Sequence, residues 1–102
     1  MNQVTDAFLM GKWRLDPSDL KSLEEFGETG LEFKPDGSLV FTWFVGKGRR
    51  QIAFLTYRLD GQWLITNQPS SPREDRVIAE IASKNVLVLD RDGVRSFYVR
   101  SD

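Results

Sequence analysis

"MGKWRL", Met10 to Leu15, places a large aromatic two residues after a glycine, close to the N-terminus and ahead of a long alternating pattern. The pattern decides the fold. "TGLEF" and "SLVFTWFV" flank "KPDG", a turn in which Pro35 fixes φ and Gly37 takes a positive φ. "QIAFLTYRL" and "QWLITN" are joined by Asp60-Gly61, the strongest hairpin signal in the chain. "RVIAEIA" and "NVLVLD" meet near Ser83-Lys84, and "DRDG" turns the chain into "VRSFYVR". With the segment around Trp13 there are about eight short strands. Short connections make their pairing an antiparallel meander, and closure into a barrel removes the exposed edges.

One helix interrupts this pattern. In "DPSDLKSLEEFG" Asp16 can cap, Pro17 suits a first turn and Gly27 stops. Leu20, Leu23 and Phe26 line one face. A short amphipathic helix is expected from about residue 17 to 26, stable only when docked.

Composition bounds the rest. At 102 residues the chain, 1–102, is one domain. It has no cysteine, which excludes disulfides and thiolate metal sites and points to a reducing, cytoplasmic location. It has no histidine, the commonest general base and zinc ligand. Fourteen basic against fifteen acidic residues leave no footprint for nucleic acid. "MNQVTDAFLM" lacks the features of a signal peptide, and no apolar run is long enough to span a bilayer.

Gly-x-Trp on the first strand, followed by a helix and a meander of hairpins, resembles the lipocalin superfamily (calycins), closest to its short bacterial lipocalin-like domains. "GKW" (11–13), "LEFKPDGSLVF" (31–41), "YRLDGQWLI" (57–65) and "VLVLDRDGVRSFYVR" (86–100) carry the resemblance over nearly the whole chain. The resemblance implies that Trp13 closes the barrel base against a basic residue of the last strand, Arg100 or Arg95. Gly11 would leave room for a close neighbour. Cation–π attraction favours such a pair by ~0.5–2 kcal/mol. The chain is much shorter than a typical lipocalin and has no disulfide.

Strands of about seven residues tilted by ~40° give a wall only ~18 Å tall, and about eight strands leave room for side chains or one small ligand. Inward candidates are bulky: Phe33, Leu39, Phe41, Trp43, Ile52 and Phe54. They weigh toward a filled interior, with a cavity for a small apolar molecule as the other outcome. "SLVFTWFV" and "QIAFLTYRL" are apolar on both parities, so their outer side calls for a cover. The helix, or a second copy of the chain in a homodimer, would supply it.

The polar residues point away from catalysis. Glu74 and Asp75 fall in the loop "QPSSPRED", and Glu80 among arginines reads as a surface ion pair, or, if inward, as a ligand anchor. "GKGRR" reads as a solubilising hairpin tip. No Ser/His, Cys/His, phosphate-loop or metal pattern occurs. The expected function is non-enzymatic binding of a small, mostly apolar ligand without a cofactor. Phe41, Trp43, Phe54 and Trp63 would supply contact surface, and Arg58 or Arg95 a polar anchor. The alternative is an interaction protein with a filled barrel, acting through its outer apolar face as a homodimer or on another protein. One version resembles small bacterial metalloprotease inhibitors, which the missing leader and disulfide disfavour.

Overall fold

The computed structural model describes residues 3–45, 48–70 and 72–101, without the side chains of Glu25, Phe26 and Val45. Eight strands run in chain order around a closed antiparallel barrel: β1 (Gly11–Leu15), β2 (Thr29–Phe33), β3 (Ser38–Val45), β4 (Arg49–Asp60), β5 (Trp63–Asn67), β6 (Glu74–Ser83), β7 (Val86–Arg91) and β8 (Val94–Arg100). Each strand pairs with the next, and β1 closes on β8 with Trp13 opposite Arg100 and Leu15 opposite Tyr98. The meander expected from the sequence is present, hairpin by hairpin. No helix among the described residues is long and apolar enough to cross a membrane.

Strand parity is where the barrel departs from expectation. Phe33, Leu39 and Phe41 face the interior, but Ile52 and Phe54 do not. Phe41 pairs with Ala53 and Leu39 with Leu55, so Ala53, Leu55, Tyr57 and Leu59 form the inner row of β4. Val40 opposite Phe54 and Thr42 opposite Ile52 form the outer one. Phe54 is 70% exposed. Both parities of β4 are apolar, so partner register rather than hydrophobicity decided the face.

Two helices occupy the ends. α1 (Asp6–Leu9), which no sequence signal suggested, is capped by Thr5 and buries Leu9 completely. It leads into β1 through Gly11, whose φ of 110° is a backbone conformation that favours glycine. α2 (Leu20–Phe26) starts later than expected, capped by Asp19. Asp16 instead forms a turn, accepting from the Ser18 N–H and hydroxyl. Leu20 is 72% exposed and lies off the docked face, which presents Ser22 and Leu23. The side chain of Phe26 lies outside the described residues. The helix sits at the rim beside β8, where Asp16 N–H donates to Phe97 O at 2.8 Å. The outer faces of Phe54 and Ile52 therefore stay exposed.

The polar loop before β6 is shorter than expected, since Glu74 and Asp75 belong to the strand. In the basic hairpin tip, Gly46 and Lys47 lie outside the described residues, while Arg49 and Arg50 begin β4 and are exposed.

Candidate ligand-binding cavity

Four even-numbered and four odd-numbered strands alternate in direction, so one end of the barrel gathers α1 and the other gathers α2 and the β3–β4, β5–β6 and β7–β8 connections. The first end is sealed. Trp13, 1% exposed, donates its indole Nε1–H to Leu9 O at 2.9 Å and lies 5.3 Å from the Phe8 ring. Arg100 sits 4.1 Å from the Trp13 ring centre and donates to Phe8 O (2.8 Å) and Met10 O (2.9 Å). One guanidinium thus stacks on the plug and ties down the α1 segment. Arg95, the other candidate for this role, instead pairs with Glu80 at 3.2 Å on the outside.

Above the plug the interior is not filled. A cavity of about 480 Å³ extends from Leu31, Phe33, Leu39 and Leu64 past Phe41, Leu55, Val77 and Leu89 to an opening beside Asp75, Arg76, Arg91, Asp92 and Val94. This volume falls within the range of small-molecule sites. Phe41 is stacked on Trp43, ring centres 5.2 Å apart, and Tyr57 meets Phe33 edge-on at 5.0 Å. Tyr57 donates to Lys34 O at 3.1 Å, and burial, with Asp6 and Asp36 nearby, raises its pKa.

Polar groups enter the cavity at two places. Where α2 meets β2 and β8, four hydroxyls are buried: Ser22 donates to Ser96 at 3.1 Å, and Thr29 and Tyr98 lie 3.4 Å apart. Burial outweighs the opposing influences of Thr29 and Arg91 and raises the Tyr98 pKa, so its phenol stays protonated at neutral pH. At the opening Arg91 grips Asp75 with both terminal nitrogens, one contact being 2.9 Å. These hydrogen bonds hold the Asp75 carboxyl below the usual range against the effect of burial. Both side chains are about half exposed, 57% and 44%. Arg91→Ala is therefore expected to lower stability by less than ~1 kcal/mol in a urea titration, because water already screens the pair.

Of the residues singled out in the sequence as ligand contacts, the structure brings Phe41 to the cavity and Trp43 behind it. The other four are on the outer surface. Arg58 pairs with Glu74 at 3.3 Å, Trp63 lies under Arg76 at 5.7 Å, Arg95 holds Glu80, and Phe54 projects into solvent. Each sits on the outward parity of its strand, next to inward residues: Arg58 between Tyr57 and Leu59, Trp63 before Leu64, Arg95 before Ser96 and Phe54 before Leu55. The sequence reading missed Thr29, Ser22, Ser96, Asp75 and Arg91. Only "VRSFYVR", with Ser96 and Tyr98 on one parity, carried a trace of the hydroxyl wall. Among the described residues no group of acidic side chains is arranged to hold a metal ion.

No protein-family model matches the chain, and a search of curated proteins gives no match. A solved structure does: a lipocalin-like protein from Bacteroides uniformis ATCC 8492, at a TM-score of 0.65 and 16% identity, covers 92% of this chain and 99% of its own. Barrel closure, strand order and this superposition agree, and the fold of the chain is lipocalin-like.

Proposed function

We propose that this protein is a non-enzymatic binding protein that takes one small, mostly apolar molecule into the barrel. The observation that carries this reading is the cavity of about 480 Å³, sealed by Trp13 at one end and open beside Arg91 at the other. Close-packed interiors leave few voids larger than a water molecule, so a lined space of this size in so short a chain is a departure that ligand binding explains. The lack of cysteine supports action in the cytoplasm.

Native mass spectrometry of the purified protein, with the neutral dye N-phenyl-1-naphthylamine as a solution probe, tests the reading. Saturable binding of one dye per chain is expected. Leu55→Trp, which places an indole in the space beside Phe41, is expected to abolish it while leaving the far-ultraviolet circular dichroism unchanged. Failure of the dye to saturate, together with no mass released on unfolding, sinks the reading.

A second reading concerns the outside. Phe44, Ile52 and Phe54 are 40%, 42% and 70% exposed on adjoining outer positions of β3 and β4, with Val40 opposite Phe54. Apolar patches of this kind commonly mark association surfaces. This face supports a homodimer, which sedimentation equilibrium checks. Phe54→Asp is expected to yield a monomer with stability within ~0.5 kcal/mol of the parent, because the ring it removes is exposed.

A further inference from the structure

The polar groups of the cavity specify what kind of ligand it takes, given that it binds one, and this inference rests on that reading. Ser22, Ser96, Thr29 and Tyr98 are each more than nine-tenths buried, and the last three line the cavity. A hydroxyl carries one donor and two acceptor sites. The four form two pairs, Ser22 with Ser96 and Thr29 with Tyr98, and each pair consumes one proton. One O–H per pair is left without an acceptor among the described residues. The wall can thus donate two further hydrogen bonds and accept others, in a site that has one more hydroxyl, Thr66 on β5 opposite Asp75, and whose remaining depth is leucine, valine and phenylalanine.

Charge is kept away from that depth. Among the described residues, the charged side chains lining the cavity are Asp75, Arg76, Arg91 and Asp92, two of each sign, all at the opening. Asp75 and Arg91 satisfy each other, and Arg76 leans over Trp63 toward Glu74. Arg100 is shut beneath Trp13 with its nitrogens on Phe8 O and Met10 O. A carboxylate or ammonium pushed inward would lose its hydration and meet no countercharge. An alcohol, ketone or ester oxygen would meet donors already in place.

We infer that the ligand is an uncharged amphiphile, with its apolar body against Phe41, Leu55 and Leu89 and a hydroxyl or carbonyl oxygen on the wall formed by Ser96, Thr29 and Tyr98. Ser22 donates to Ser96 from α2, so the helix holds one of the three hydroxyls in place from outside the cavity.

Displacement of N-phenyl-1-naphthylamine by decanol, decanoate and decane tests this at neutral pH. In the parent protein decanol is expected to bind more tightly than decanoate. Ser96→Ala and Tyr98→Phe, each of which deletes one oxygen and keeps the shape, are expected to weaken decanol by about fivefold and to leave decane unchanged. Because decane is measured on the same variant, a general loss of folding shows itself as loss of both. In that event Thr29→Val, read in the same way, replaces the failed variant. Tighter binding of decanoate, or an unchanged decanol affinity in the variants, overturns the inference while leaving the cavity a binding site. If neither dye nor any of the three probes binds, the binding function itself fails, and the inference with it.

Discussion

Trp13→Ala is expected to lower the free energy of unfolding by about 3–5 kcal/mol, the cost found for removing large buried aromatics. Domains of this size are stable by only ~5–15 kcal/mol, so about a fifth or more of the total is at stake. The ring is 1% exposed and is the largest of the fully buried side chains. Its loss opens the base of a barrel that is already hollow above it, leaving little to collapse into the gap. It also strands Leu9 O, which accepts the indole N–H, and takes away the surface on which Arg100 is stacked. Trp13→Phe separates these contributions, keeping an aromatic face while deleting the donor, and should cost about 1–2 kcal/mol. Arg100→Ala removes two charge-assisted hydrogen bonds to the α1 segment and should fall between the two. Urea titration of the three variants measures this order. An Arg100→Ala loss below ~0.5 kcal/mol would show that the guanidinium is a bystander on the ring.

The second large effect is expected at Asp19→Ala, about 2–4 kcal/mol. One carboxylate oxygen accepts from Ser22 N–H at 3.3 Å and caps α2, a contribution of ~1 kcal/mol. The other accepts from Phe97 N–H at 3.1 Å, and losing that partner leaves a β8 amide unsatisfied, ~1–3 kcal/mol. Burial pushes the Asp19 pKa up, but the hydrogen bonds from Phe97 and Ser22, with Lys21 nearby, outweigh it and bring the value below 3.8. A depressed folded-state pKa stabilises the protein above the unfolded value and ceases to do so as pH falls through the folded one. The stability difference between the parent and Asp19→Asn should therefore be constant near neutrality and shrink below 3.8. Urea titrations across that range measure it. Amide hydrogen exchange at Ser22 and Phe97 should speed up together in the variant, since one side chain holds both.

The fold was legible because it is written locally. Asp60-Gly61, Pro35 to Gly37 and Asp92-Gly93 are turn signals that need no tertiary information, and all three connect adjacent strands. The site was less legible, because the inner and outer rows of β3 and β4 are both apolar. Ile52 and Phe54 look like better core residues than Ala53, yet the pairing of Phe41 with Ala53 sends them outward. Arg58, Trp63 and Arg95 were lost by the same rule, since a wrong parity displaces every second residue of a strand. The hydroxyl wall escaped for a different reason. Ser22 and Ser96 are 74 positions apart and Thr29 and Tyr98 are 69 apart, so no local pattern joins them. The four-residue α1 is too short to show a period, and what holds it is Arg100 from the far end of the chain.

That last contact bears on how the molecule is made. Phe8 and Arg100 are 92 positions apart, and β1 finds its second partner only in β8. Seven of the eight seams join neighbours in sequence and can zip as hairpins while the chain is still emerging from the ribosome. The eighth has to wait for the final strand, and until it forms β1 and β8 each keep one unpaired margin, the state in which sheets are prone to join one another. Pairing across so long a loop carries more entropic cost than zipping a hairpin does. Arg100, reaching from β8 to the Phe8 and Met10 carbonyls and onto Trp13, acts as the latch that completes it.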